Sequence, residues 1–95
     1  MKRYVLKGKK VKPCQNLSQW LEFLGSERHL QKTKIGNTLI STVFVGISQE
    51  ETPLLFETTV FDGNLTLQSQ KWETWDEAIT GHQRAVQEIR MSSLD

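Results

Sequence analysis

Residues 38–61, TLISTVFVGISQEETPLLFETTVF, hold two apolar, β-branched runs separated by a short polar loop. Because β-branched and aromatic side chains pack well on a pleated surface, this stretch predicts two adjacent antiparallel strands at the centre of a small sheet. The first run is apolar on both faces, with Ile40, Thr42 and Phe44 on one face and Leu39, Ser41 and Val43 on the other. A short chain covers only part of the second face, which leaves room for a dimer interface or a ligand groove.

The second run carries the most informative polar residues. Glu57 and Thr59 share one face of the strand with the large apolar residues Leu55 and Phe61, and they lie between these two residues. A carboxylate buried without partners is strongly unfavourable, so we expect Glu57 to be paired, or to face solvent or a groove. In the groove interpretation, Thr42, Ser41 and Thr59 line the same groove.

Turn and cap residues place the other elements. Gly8 predicts a tight turn between two N-terminal strands, and residues 36–37 and 62–64 predict two more turns. A short helix is predicted to begin after the N-cap Asn16 and to end at Gly25. Residues 65–72 alternate weakly and are polar, which is typical of an edge strand.

The last helix has the clearest signature. Thr74 and Glu77 have the spacing of a capping box, which satisfies backbone N–H groups of the first turn. One face repeats at helical spacing through Trp75, Ala78, Ile79, His82, Ala85, Val86 and Ile89. Gly81 lies in the middle of this helix and costs about 1 kcal/mol relative to alanine, so we expect it to admit another backbone closely.

These elements predict an α+β fold, an antiparallel sheet of about four to five strands with two helices packed on one face. The 95 residues fit a single domain over 1–95. The single cysteine, Cys14, favours a reducing, cytoplasmic environment. No apolar run reaches the roughly 18 residues of a membrane span, and no apolar segment follows the basic start as in a secretory signal.

The net charge of +1 conceals an asymmetry. Six cations lie in the first twelve residues, which contain no acid, namely Lys2, Arg3, Lys7, Lys9, Lys10 and Lys12. Such a basic end is typical of phosphate-binding surfaces, but it also fits an edge strand whose lysines prevent aggregation. No aromatic or arginine pattern for reading bases accompanies the lysines, so we do not expect sequence-specific nucleic-acid binding.

Candidate chemistry is sparse. His82 lies on the apolar face of the last helix, where it is either a general base or ligand, or a core histidine hydrogen-bonded to a strand or a carboxylate. Trp72 and Trp75 flank the strand-to-helix junction, where one exposed ring would suit stacking on a ligand. The two histidines and one cysteine lack a known metal-binding spacing, so we expect no metal, no cofactor and no assigned catalytic residue.

Three segments carry a family resemblance: ISTVFVGI (40–47), PLLFETTVFDG (53–63) and TWDEAITGHQRAV (74–86). They resemble a family of small bacteriophage and prophage proteins, mostly of unassigned function, with segments close to STVFLG, PLLFETMVFGG and TWEEA-GH. The family's initial Y-x-L-x-G-K-like strand is matched by residues 4–9, and its tryptophan-bearing helix by residues 17–23. The chain differs in a shorter loop at 48–53, and Thr59 and Asp62 replace a methionine and a glycine.

The resemblance implies a small protein made in an infected bacterial cell, where such proteins commonly act by binding. We therefore expect a non-enzymatic protein, cytoplasmic in the host cell, that binds and inhibits a bacterial protein of anti-phage defence, with a homodimer as an option. One alternative is a small-ligand binder that sequesters a nucleotide signal, with Glu57, Thr42, Thr59, His82, Trp72 and Trp75 as binding residues. The other is a small hydrolase using His82 and Glu57.

Overall fold

The computed structural model describes residues 1–92; the last three residues of the predicted domain, 93–95, lie outside the described residues. The elements follow the order β1 (Lys2–Lys7), β2 (Lys10–Pro13), α1 (Leu17–Glu27), β3 (His29–Ile35), β4 (Thr38–Phe44), β5 (Ile47–Ser48), β6 (Phe56–Asp62), β7 (Leu65–Trp72) and α2 (Trp75–Ser92). The predicted α+β class is confirmed. Neither described helix is both long and apolar enough to cross a membrane.

The strands form two antiparallel sheets. The main sheet has the order β3-β4-β6-β7, so the two runs of residues 38–61 are its central strands, as predicted. The N-terminal hairpin forms a separate three-stranded sheet of order β2-β1-β5, in which β5 pairs only with the start of β1. The long helix α2 packs across all four strands of the main sheet, and α1 packs against β1.

Three hairpins use the same turn chemistry. Each two-residue turn begins with a glycine at positive φ, namely Gly8 at 63°, Gly36 at 60° and Gly63 at 61°. In residues 1–92 no residue other than glycine has a positive φ, so the second residue of each turn has a negative φ. This is the Gly-X pattern of type II′ turns, whose twist matches that of the flanking strands.

The predicted helix caps are confirmed. The Asn16 side chain accepts from the Gln19 N–H at 3.0 Å, and Thr74 and Glu77 exchange side chain-to-backbone bonds of 3.1 and 3.2 Å. The predicted end of α1 at Gly25 is wrong, because the helix continues to Glu27 and is followed by Arg28 in a helical conformation. Gly25 does not adopt the positive φ that a C-terminal glycine cap requires.

The apolar core consists of two clusters beneath α2. The larger contains the buried residues Phe44, Leu55, Phe56 and Ala78, with partly buried residues of both sheets and α1 packed around it. The smaller contains Ile40, Val60 and Ala85. Edge-to-face ring contacts join α1 to the larger cluster, since Phe23 packs on Phe44 with centroids 5.7 Å apart.

A glycine carbonyl connects the small sheet to α1. The Trp20 indole N–H donates to the Gly46 carbonyl at 2.9 Å, and the Tyr4 backbone N–H donates to the same oxygen at 2.8 Å. Gly46 has a φ of 79°, and an added Cβ would lie 2.9 Å from a methyl carbon of Leu24. This position therefore requires glycine for both its conformation and its space.

Gly81 makes a similar close contact in α2, although its neighbour is a side chain rather than the backbone expected from the sequence. A Cβ at this position would lie 2.6 and 2.7 Å from the Cε2 and Cη2 atoms of Trp72, and closer still to Cζ2. The indole therefore packs directly on the helix backbone. Glycine lowers the helix propensity at this position, but its missing side chain leaves the space in which the Trp72 ring packs against α2.

We predict that Gly81→Ala destabilises the protein by about 1–3 kcal/mol, because overpacking against Trp72 outweighs the gain in helix propensity. Gly25→Ala is the matched control, since a Cβ there meets nothing within 4 Å inside α1. It should stabilise by up to about 1 kcal/mol. Urea unfolding of the two variants measures both changes, and equal effects would contradict the packing argument.

Candidate functional site

His82 of α2 lies at the centre of a chain of side-chain hydrogen bonds that crosses the main sheet. Its Nδ1 is 2.8 Å from Thr42 Oγ1 on β4, and its Nε2 is 2.9 Å from Thr33 Oγ1 on β3. Thr42 Oγ1 is 2.6 Å from Thr58 Oγ1 on β6, which accepts from the Trp72 indole N–H at 3.0 Å. Each of the four strands therefore supplies one member.

The indole fixes the direction of this chain. Trp72 Nε1 is only a donor, so Thr58 accepts from it and uses its own hydrogen toward Thr42. Thr42 then donates to His82 Nδ1, which leaves the proton of the neutral ring on Nε2, where it donates to Thr33. In the opposite direction Thr58 would accept twice, and its own hydrogen would have no recorded acceptor in residues 1–92.

Burial makes this neutral form the stable one. His82, Thr42 and Thr58 are 0%, 0% and 4% exposed. Desolvation by burial lowers the pKa of His82 below its ordinary value of 6.5, because the charged ring loses its hydration. A second ring proton on Nδ1 would also meet the hydroxyl hydrogen that Thr42 directs toward it. Of the two interpretations from the sequence, a general base or ligand and a hydrogen-bonded core histidine, the geometry of His82 fits the second.

Glu57 and Thr59 lie on the other face of the sheet from His82. Phe56, Thr58 and Val60 are buried beneath α2, and the residues that alternate with them on β6 are only partly buried. The Glu57 carboxylate accepts from Ser69 Oγ at 3.0 Å on that opposite face. The structure therefore unites Thr42, His82 and Trp72 but separates them from Glu57 and Thr59, and it does not form the His82–Glu57 pair that a hydrolase would use.

Trp75 takes a structural position at the start of α2. Its ring packs edge-to-face on Phe56, with centroids 6.5 Å apart and an interplanar angle of 87°. It also lines a cleft of about 280 Å³ together with Lys9, Val11 and Pro53. Trp72 and Trp75 are both half-buried, so neither presents a fully open ring for stacking.

The face of the main sheet opposite α2, here called the open face, has no helix packed on it within residues 1–92. Cross-strand register pairs Leu39 with Phe61, Ser41 with Thr59, and Val43 with Glu57 at its centre. The same alternation places Lys32 and Lys34 of β3 and Lys71 of β7 at its two margins. The open face therefore has a centre of apolar and hydroxyl side chains with the Glu57 carboxylate among them, and lysines at its margins.

A cleft of about 350 Å³ lies beside His82, between β3 and α2. It is lined by Gln31, Thr33, His82, Gln83, Val86, Gln87 and Arg90. The Gln31 Oε1 atom is buried and has no hydrogen-bond partner. Thr33 accepts from His82, so its hydroxyl hydrogen is available to the cleft.

Gln31 and Thr33 were not among the residues selected from the sequence. Weak alternation in residues 29–35 conceals that Gln31, Thr33 and Ile35 share a face, and the position of that face relative to His82 depends on strand register. The weak alternation of residues 29–35 is the one sequence signal that could have pointed to them.

Known proteins and metal-site geometry provide no assignment. Within residues 1–92, no group of three or more histidine, cysteine, aspartate or glutamate side chains is arranged to hold a metal ion. No protein-family model matches the chain, and no curated protein or solved structure matches it.

We predict that the protein loses stability as the pH falls below 6.5. The unfolded chain takes up a proton on His82 there, whereas the native protein with its lowered pKa does not, so protons favour unfolding. The free energy of unfolding falls by at most about 1.4 kcal/mol per pH unit. The full contribution of His82 to stability is present above pH 6.5.

Thermal unfolding between about pH 7.5 and 5.5 tests this, since most carboxylates stay ionised over that interval. His82→Gln should remove most of the pH dependence, although it also lowers the melting temperature. His29→Gln, at an exposed position of β3, should retain the dependence. An unchanged slope in His82→Gln would contradict the assignment.

Proposed function

We propose that the protein is a non-enzymatic binding protein that engages a bacterial host protein through the open face of its main sheet. The single observation that carries this proposal is the apolar centre of that face, where Leu39 and Phe61 lie side by side, both half-buried, with no helix of residues 1–92 packed on them. The class of partner, a component of anti-phage defence, comes from the sequence resemblance to phage proteins.

The composition of the open face supports recognition of a protein. Aromatic and aliphatic side chains at the centre of a patch supply most of the affinity of protein interfaces, and polar groups at the rim exclude water. Phe61 and Leu39 supply the centre, and the half-buried Thr59 and Glu57 supply hydrogen-bonding groups beside them. The lysines at the margins fit a partner that is acidic around its contact site.

The size of the open face sets a requirement on the contact. Four strands of about seven residues present roughly 400 Å², whereas a standard interface covers about 800 Å² per partner. The contact therefore extends onto the edge strand β7, whose Leu65 and Leu67 are 67% and 54% exposed. A strand or loop of the partner lying along β7 would pair with its free backbone groups and reach the open face.

Phe61→Glu should weaken the host complex by at least about ten-fold, because a carboxylate at the centre would be buried unpaired. The matched control is Leu21→Glu, which makes the same kind of change at a 55% exposed position of α1. Light scattering of the purified protein, alone and in bacterial extract, measures the complex, and the partner from that peak is then purified and titrated with both variants.

Wild type and Leu21→Glu should shift to the complex, and Phe61→Glu should stay free while still showing a cooperative thermal unfolding transition. A dimer that persists in extract would instead assign the open face to self-association. Equal binding by all three proteins would remove the open face from the interaction, and a monomer unchanged by extract would overturn the proposal.

A second candidate function, binding of a small nucleotide-like ligand, is favoured by the cleft between β3 and α2. The buried Gln31 Oε1 needs a hydrogen-bond donor from a ligand, and the Thr33 hydroxyl can donate to an acceptor on the same ligand. A base with adjacent donor and acceptor groups meets both requirements, and Arg90 lines the cleft on the side of α2. This cleft differs from the groove expected from the sequence, which included Glu57 and Thr59.

A thermal-shift screen with cyclic and linear nucleotides tests this candidate. Ligand at 100 times its Kd adds about 2.7 kcal/mol, which raises the melting temperature by roughly 10 °C or more in a domain of this size. Gln31→Met should abolish the shift, whereas Gln70→Met on exposed β7 should leave it intact. No stabilisation at millimolar nucleotide would exclude the candidate.

A further inference from the structure

The outward face of the β1–β2 hairpin, here called the lysine face, presents a group of cations. Tyr4, Leu6 and Val11 pack inward on the larger core cluster. The antiparallel register pairs Lys7 with Lys10 and Val5 with Lys12, so these side chains lie on the outward face. Lys9 lies in the turn between them, and all four lysines are exposed.

The charge of the lysine face is not neutralised by the protein. The chain contains no acid before Glu22, and Lys7, Lys9, Lys10 and Lys12 form no ion pair within residues 1–92. Glu73 borders the same cleft as Lys9, but this cleft lies on the inward side with Val11 and Leu55. Lys7 and Lys10 are direct cross-strand partners, an arrangement of like charges that destabilises a hairpin.

Protection of a sheet edge accounts for only part of this pattern. Lysines on an edge strand discourage pairing with another sheet, and Lys10 and Lys12 lie on β2, which is the edge. Lys7 lies on β1 beyond the two residues that pair with β5, so no strand of residues 1–92 pairs with the other side of β1 there, and Lys9 lies in the turn. Protection of an edge does not require Lys7 and Lys10 to be direct cross-strand partners, and this repulsion is consistent with a surface whose counter-charge comes from a ligand.

We propose that the lysine face binds the phosphate backbone of nucleic acid, without regard to base sequence, as an activity separate from the open face. Lys7, Lys10 and Lys12 are the contacting residues, because Lys9 borders the inward cleft. Lysines two apart on a strand are about 7 Å from each other, so the lysine face meets successive phosphates rather than one. Neutralising phosphates releases condensed counterions, and this supplies the affinity.

The composition of the lysine face favours nucleic acid over an acidic protein. Protein interfaces gain their affinity from buried aromatic, aliphatic and arginine anchors, and the only apolar residue between these lysines is Val5. Backbone phosphates need cations alone. Arg3 cannot serve as a base-reading arginine, because it lies over the Trp20 ring at 5.8 Å and donates to the Gln15 carbonyl.

Fluorescence anisotropy with duplexes of about 20 base pairs tests the proposal, with two unrelated sequences and a series of salt concentrations. Three contacts predict a slope of about −2.7 for the logarithm of the association constant against that of salt, or a loss of about forty-fold between 50 and 200 mM. The two sequences should bind equally. A sequence preference beyond ten-fold, or no binding at low salt, would overturn the proposal.

The variant Lys7→Gln/Lys10→Gln should weaken binding to both duplexes and make the slope less steep by about 2. Its fold should be at least as stable as the wild type, since the cross-strand repulsion is removed. Lys32→Gln/Lys34→Gln makes the same change of charge on β3 and should retain the wild-type slope. Because the whole protein carries a net charge of only +1, equal loss in both variants would show that binding follows overall charge and would refute the lysine face.

Polyglutamate of matched charge is the competitor that separates the two classes of partner. Weak competition relative to unlabelled duplex supports phosphate binding. Competition as strong as that of the duplex would overturn the assignment to nucleic acid in favour of an acidic protein. The Phe61→Glu variant should bind duplex normally, so failure of the open-face proposal does not affect this result.

Discussion

The hydrogen-bonded chain from Thr33 through His82, Thr42 and Thr58 to Trp72 is the constraint on which the rest of the structure depends. It lies between the two apolar clusters, in a region where an unsatisfied polar group costs about 1–3 kcal/mol. Each strand supplies one member, so a one-residue slip of any strand would turn its member to the open face and leave the others unpaired. The chain therefore specifies register across the whole sheet in a way that apolar packing alone does not.

This constraint also divides the protein between stability and recognition. Both ring nitrogens of His82 and both hydroxyls of the central threonines are used inside the chain, so the helix-covered side is a structural interior. Gly81 allows the Trp72 ring to close one end of that interior against α2. The surfaces proposed for partners, namely the open face, the cleft at the Thr33 end and the outward side of the N-terminal hairpin, all lie outside this interior.

The limits of sequence reasoning follow from the same geometry. Alternation correctly separated Ile40, Thr42 and Phe44 from the residues between them, and cap and turn residues located both helix starts and three hairpins, because these signals are local. The grouping of Thr42, Thr59 and Glu57 in one groove did not hold. Thr42 is the cross-strand partner of Thr58, which points to the opposite face of β6 from its neighbours Glu57 and Thr59. The meeting of residues 33, 42, 58, 72 and 82 depends on register and on the rotation of α2, which periodicity does not determine. The separate N-terminal sheet was also missed, because β5 is two residues long.

The positions of the tryptophans make the folding of this protein directly observable. Trp20 contacts the Gly46 carbonyl where α1 meets the small sheet, whereas Trp72 donates its indole proton inside the main sheet. Proteins that retain only one of these rings would report on the two regions separately through intrinsic fluorescence. Coincident transitions at the two probes would mean that the small sheet and the main sheet melt as one cooperative unit, and separate transitions would reveal an intermediate in which the N-terminal hairpin has already detached.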